Sequence, residues 1–336
     1  IDHARVHVEK TFKRPLPERI VRIMLAKVLP YPKRMRTALK LAKLGQPFAP
    51  FLKRFKATKP LASMLSLAPK ALPSQSSAVA LHVAKGQKRG RVALLTGCAQ
   101  SVLDPEINAA TIRLLNHLGV EVVLPQGEGC CGALTLHMGR EDDAKAAARR
   151  NVAVWKKAIA EGGLDAIIIT ASGCGTTIKD YGHILKDDPA FAQDAVQVSA
   201  LAKDITEYLF TLDLPQLEPN GTSVAYHSAC SLQHGQKVTL QPKALLRAAG
   251  FTVRDPAEGH LCCGSAGTYN ILQSEIADQL KSRKVKNIEA TKADVVAAGN
   301  IGCLTQIGSG TKLPIYHTIQ LLEWAYAPHE SRKKLH

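Results

Sequence analysis

Eight cysteines fall into two sets with one spacing. Cys98 precedes the adjacent pair Cys130-Cys131 by 32 positions, and Cys230 precedes Cys262-Cys263 by the same 32. A single cysteine closes each set, Cys174 in the first and Cys303 in the second, and each pair is followed by a glycine, Gly132 and Gly264. The offset of 132 between Cys98 and Cys230 recurs between Cys130 and Cys262, so the chain reads as an internal duplication built around two thiolate sites.

Four thiols can form disulfides, hold a structural zinc or hold an iron-sulfur cluster. Disulfide frameworks belong to small secreted scaffolds short of a core, whereas this chain is 336 residues long and 46% hydrophobic. Structural zinc sites draw on pairs spaced Cys-x2-4-Cys, and no such pair occurs. Adjacent cysteines on a glycine-rich loop can address two irons of a bulky cluster, so spacing favours iron-sulfur over zinc and leaves both open. Two weaker signals compete. Gly127-Glu128-Gly129-Cys130-Cys131-Gly132 matches a dinucleotide fingerprint, but the second copy, Gly259-His260-Leu261-Cys262-Cys263-Gly264, keeps the thiols and only the last glycine of the motif, so no nucleotide site is expected. His227 and His234 flank Cys230, and a lone histidine near a strand end is more often a surface or hydrogen-bonded group than a ligand.

The positioning elements follow from periodicity. Strands are expected at Val92 to Thr96, Glu121 to Leu124 and Ala166 to Thr170, and in the second copy at Ser223 to His227, Phe251 to Arg254 and Asp294 to Ala298. Helical patterns lie between them at Asn108 to His117, Asp142 to Ala160, Pro242 to Ala249 and Ser274 to Thr291. This alternation predicts an α/β fold with two duplicated parallel-sheet domains, 91–215 and 216–328. Every cysteine then sits beyond the carboxyl end of a strand, where loops of open parallel sheets converge on ligands. Gly132 and Gly264 let the backbone turn tightly against a bound group.

The rest of the chain has a different texture. Residues 1–65 read as short basic amphipathic helices broken by prolines, and 66–90 as a linker with a Ser-rich patch at Ser74 to Ser77. Residues 1–60 hold sixteen Lys and Arg against Asp2, Glu9 and Glu18. Ile20, Ile23, Met24, Val28 and Leu29 recur near helical spacing there. Concentrated positive charge on such helices suits an anionic membrane surface or acidic partner subunits. Nucleic acid is not expected there. No apolar run reaches the ~18 residues of a spanning helix. The chain opens with Ile1 and shows no signal-peptide pattern.

The two blocks resemble the cysteine-rich CCG domains of the heterodisulfide reductases and their relatives. Within that group, Ala225-Tyr226-His227-Ser228-Ala229-Cys230, Leu261-Cys262-Cys263-Gly264-Ser265-Ala266-Gly267-Thr268-Tyr269 and Gly299-Asn300-Ile301-Gly302-Cys303-Leu304-Thr305-Gln306-Ile307 are similar to the iron-sulfur subunits of glycolate oxidases (glycolate dehydrogenases). The resemblance runs from about Val92 to Ala325, with Lys27-Val28-Leu29-Pro30-Tyr31-Pro32 resembling the region after the ferredoxin-like domain of that family. It implies an electron-transfer subunit without a catalytic residue of its own. Glycolate is oxidised to glyoxylate at FAD in a partner flavin subunit, and electrons pass toward a quinone or other acceptor. The equivalent subunits for lactate or glycerol-3-phosphate oxidation share the blocks. The implied location is cytoplasmic, peripheral on the inner face of the membrane. The implied cofactor is an iron-sulfur cluster of the 4Fe-4S type at one or two sites, held by Cys98, Cys130, Cys131 and Cys174 and by Cys230, Cys262, Cys263 and Cys303. Two departures stand out. The amino-terminal ferredoxin-like domain is missing, so the chain looks truncated. The fuller pattern carries a fifth thiol per copy where this sequence has Ala171 and Asn300.

Overall fold

Short apolar strands buried on both faces organise the two repeats. A computed structural model describes residues 2–52, 54–55, 58–69, 71–74 and 79–327. Ser76 and Ser77 of the Ser-rich patch, and residue 328 at the expected end of the second domain, lie outside the described residues. The first sheet holds β1 (Leu81–His82), β2 (Gly90–Leu94), β3 (Val120–Val123), β4 (Ala166–Ile169) and β5 (Ala202–Asp204) in the order β1-β3-β2-β4-β5. The second holds β6 (Ser223–His227), β7 (Thr252–Arg254), β8 (Val295–Ala298) and β9 (Ile315–His317) in the order β7-β6-β8-β9. All pairs are parallel except β1 on β3. The stretch expected as a bare linker therefore supplies an antiparallel edge strand, with Leu81 opposite Val123.

Val92 and Leu94 of β2 face one apolar cluster while Ala93 and the next residue along, Leu95, face another; in β4, Ala166 and Ile168 divide from Ile167 and Ile169 in the same way. A sheet covered on both faces needs such near-continuous apolar strands. Burial of each large side chain contributes roughly 1.5–3 kcal/mol. The cluster on the Val92 side runs on through Val224, Tyr226, Val296 and Leu322, so the two expected domains share one core.

Polar contacts lock the same boundary. The Ser172 N–H donates to the Gly299 carbonyl at 3.2 Å, and the Ser172 and Ser231 hydroxyls share a hydrogen bond of 2.7 Å. His317 at the end of β9 donates from Nε2 to the Thr170 carbonyl at 2.7 Å and accepts at Nδ1 from the Ile319 N–H at 3.1 Å, which fixes its neutral tautomer.

The amino-terminal segment forms the helices Asp2–Thr11, Leu16–Val28, Pro32–Gly45 and Lys59–Leu67, with prolines near the starts of the last three. Leu16–Val28 carries two apolar stripes. Leu25 and Ala26 are buried against Met138 and Ile271, so this helix touches both repeats. Leu16, Ile20, Ile23 and Met24, on the other stripe, remain exposed. The spacing that marked an amphipathic helix thus combined a core-facing and an outward-facing row. Among the described residues no helix is long and apolar enough to cross a membrane.

Candidate metal centres

Each copy delivers its thiols by the same device. Cys98 and Cys230 follow the central strands β2 and β6. The cysteine pairs follow β3 and β7, and Cys174 and Cys303 are the third residues of the helices Ser172–Lys179 and Ile301–Gly308 that follow β4 and β8. Gly132 and Gly264 adopt φ of 87° and 89°, the left-handed region that a side chain resists, and press against the helices Glu141–Gly162 and Ser274–Glu289.

The structure brings together the four sequence-expected thiols of each copy, and all eight are free. Sγ atoms of Cys98 and Cys130 lie 3.6 Å apart, those of Cys230 and Cys262 4.0 Å, and those of Cys263 and Cys303 3.4 Å. Hydrogen bonding to Cys130 and to Cys174 ties Cys131 into the first group. The Cys130 thiol is pulled down to about 3, first by hydrogen bonding from Cys131 and then from Cys98, with the Gly132 N–H and the Arg150 guanidinium adding to it. The same hydrogen bonding, together with burial, pushes Cys98 and Cys131 well up. In the second group Cys262 falls to about 2 through Cys230 and Cys263, which rise in turn. Cys303 drops well below its usual range, first through Cys263 and then through His227 and Asn300. Thiols that share protons in this way can release them to a soft metal, which binds the thiolate.

Several functional neighbours are not legible as motifs. Asn151 holds the first cysteine loop, accepting from the Gly129 N–H at 2.9 Å and donating to the Cys130 carbonyl at 3.2 Å. Tyr181 donates to the Cys131 carbonyl at 2.8 Å. Glu128, inside the formal dinucleotide motif, accepts from the Thr96 N–H at 2.9 Å and the Thr96 hydroxyl at 2.7 Å, and burial lifts its carboxyl to about 7. That motif is a latch between two loops. In the second copy, buried Lys284 donates to the Glu258 carbonyl at 2.8 Å. Beside Cys130, a cavity of about 160 Å³ is lined by Arg150, Lys27 and Tyr31. The two histidines part company: His234 is exposed, whereas His227 is buried with a ring nitrogen, Cys263 Sγ and Cys303 Sγ all within 4.8 Å of one another.

A duplicated α/β fold with a thiol group at the carboxyl edge of each parallel sheet defines a class, and the sequence profile of that class, the CCG cysteine-rich domain, matches residues 92–179 and 224–308. The chain belongs to this cysteine-rich domain family. It is 39% identical over 326 residues to the glycolate oxidase iron-sulfur subunit of Escherichia coli (strain K12), covering 97% of this chain and 76% of that protein. It is 30% identical over 329 residues to the probable glycolate oxidase iron-sulfur subunit of Bacillus subtilis (strain 168), covering 92% and 72%. Lactate utilization protein A of Bacillus licheniformis is 30% identical over 223 residues, which span 65% of this chain and 90% of that one. Among solved structures, a hypothetical protein from Helicobacter pylori superposes with a TM-score of 0.52 at 12% identity, over 86% of this chain and 57% of that chain. At that identity it shares the fold alone.

Proposed function

We propose that this chain is the iron-sulfur electron-transfer subunit of a flavin-dependent 2-hydroxyacid dehydrogenase, with glycolate as the substrate of the complex. The observation that carries this is the pair of convergent four-thiol groups in a chain similar along nearly its whole length to glycolate oxidase iron-sulfur subunits. Four soft donors per group, on loops that glycine keeps close, fit an iron-sulfur cluster, 4Fe-4S in type and one per group. Such a group supplies one-electron redox chemistry when bound. Cys98, Cys130, Cys131 and Cys174 would hold one centre, and Cys230, Cys262, Cys263 and Cys303 the other. The chain's own part is to hold them side by side: Ser172, two residues before Cys174, bonds Ser231, next to Cys230. FAD belongs to the partner flavin subunit, and lactate or glycerol-3-phosphate remains the rival substrate.

The helices before residue 60 would seat the subunit on the inner face of the cell membrane, or on its partners. Exposed Phe12, Leu16, Ile20 and Ile23 beside Lys13, Arg14 and Arg19 support this, since interfacial helices join an apolar stripe to cationic flanks. Anionic vesicles should retain the chain at low salt and release it at high salt.

Sulfur separations of 3.4–4.0 Å favour one second reading, a zinc module, because a tetrahedron with metal-sulfur bonds of ~2.3 Å has edges of ~3.8 Å. Anaerobic purification separates the two. Iron and sulfide in near-equal amounts are expected, and stoichiometric zinc from an iron-replete preparation would defeat the assignment. Dye reduction by glycolate should require the flavin subunit as well; turnover by this chain alone would defeat the relay role.

A further inference from the structure

The two copies differ where the central strand meets the thiols. Leu95 follows β2 and packs in the apolar cluster that contains Cys131 and Ala133. At the offset of 132, the second copy places His227 there. Its imidazole is only 2% exposed, its Nε2 has no hydrogen-bond partner among the described residues, and a ring nitrogen lies within 4.8 Å of Cys263 Sγ and Cys303 Sγ. A buried polar nitrogen left without a partner is costly, so the sequence carries that cost at a position where the first copy uses leucine. Asn300 aims Nδ2 at Cys303 Sγ from 3.5 Å, where the first copy has Ala171. Two side-chain nitrogens thus lie close to the second thiol group.

We propose that His227 is a ligand of the metal group held by the second set, making that centre a mixed cysteine and histidine site beside an all-cysteine first site. The inference rests on the iron-sulfur reading above. An uncharged imidazole adds a donor to the four thiolates without adding negative charge, and ligand identity is among the features that set a cluster's potential. The two centres then differ in potential, which gives electron flow between them a direction. Asn300, which donates toward Cys303, is a positioning residue for that ligand.

The test uses the full chain, loaded anaerobically with iron and sulfide, in a Cys98→Ser/Cys130→Ser background that confines the signal to the second set. Electron paramagnetic resonance of the reduced centre should show the hyperfine coupling of a bonded nitrogen. That coupling should change on biosynthetic labelling with ¹⁵N-histidine and vanish in His227→Leu, which installs the first copy's residue. In the chain with both sets intact, His227→Leu should shift the second centre's midpoint potential and leave the first unmoved. The labelling arm needs no substitution at His227, so it decides the matter even if His227→Leu fails to fold. An iron-sulfur signal from the second set without bonded-nitrogen coupling overturns the ligand assignment and spares the relay function. Absence of iron and sulfide from the second set alone overturns it too; absence from both sets removes the iron-sulfur reading with it.

Discussion

The first thiol group is bordered by Leu95, Ala171 and Arg150, the second by His227, Asn300 and Lys284. The donors and the left-handed glycine are common to both copies, while the groups around them differ. Duplication here has preserved what positions sulfur and varied what sets the polarity around it. Potential depends on charge, hydrogen bonds to sulfur and ligand identity, so one scaffold can hold two centres with different tasks.

The shared glycine can be used to break the symmetry. A Cβ on Gly264 would stand 2.5 Å from the Ala277 carbonyl oxygen, whereas one on Gly132 would stand 3.1 Å from that of Ala144. Both substitutions also force a left-handed conformation on a side chain. Gly264→Ala should cost about 4 kcal/mol and Gly132→Ala about 2, because the former must displace the facing backbone much further. Denaturant unfolding of the two variants checks the order, and equal losses would mean that the second loop can relax as freely as the first.

The last strands of the two sheets give a titration counterpart. Each ends in a buried titratable residue that caps a helix: Asp204 caps Ile205–Phe210 and His317 caps Thr318–Tyr326. Burial raises the Asp204 carboxyl to about 6 and lowers the His317 imidazole to about 4. The signs oppose. His317 is held neutral, so its contribution is complete above the ordinary histidine value of about 6.5 and is lost as pH falls through about 4, a change of about 3 kcal/mol. Burial favours the protonated form of Asp204, so its contribution is present below about 4 and is lost as pH rises through about 6, again about 3 kcal/mol. Relative to the parent chain, Asp204→Asn should lose stability between pH 6.5 and 4, and His317→Asn should gain it. Parallel pH profiles for both variants would show that neither group is held as described.

How much of this was legible in sequence follows from what was repeated. The eight cysteines, the two glycines and strands such as Ser223–His227 carry their own periodicity, and the fold places them where that periodicity predicts. β5, β9 and the edge strand β1 are two or three residues long, too short for alternation to register, and exist because a neighbouring strand offers its ladder. The exposed stripe of Leu16–Val28 was visible as hydrophobicity, but which of its two rows met Met138 depends on contacts 116 residues away in sequence, such as Arg22 to the Met138 carbonyl. His227 and His234 look alike in the chain. Only the strand end that buries one and the short π-helix that exposes the other distinguish them.

Asn151 and Lys284 occupy corresponding places on the helices behind the two cysteine loops, and their substitution gives the smallest expected effects. Asn151→Ala removes the acceptor of the Gly129 N–H and the donor to the Cys130 carbonyl, leaving part of the first loop unsatisfied. The expected loss is about 2 kcal/mol. Lys284→Met keeps most of the stem and removes the ammonium, so the Glu258 carbonyl loses its donor while the cost of burying a charge disappears. Burial is the main influence lowering that lysine's pKa, and nearby Cys263 opposes it, so the two consequences offset and the net loss should stay under about 1 kcal/mol. If the ammonium's main work is electrostatic, Lys284→Met should lower the second centre's potential while barely moving its unfolding midpoint. Asn151→Ala should do the reverse at the first. A Lys284→Met variant that unfolds early yet keeps its potential would make Lys284 a loop brace like Asn151 and erase this difference between the copies.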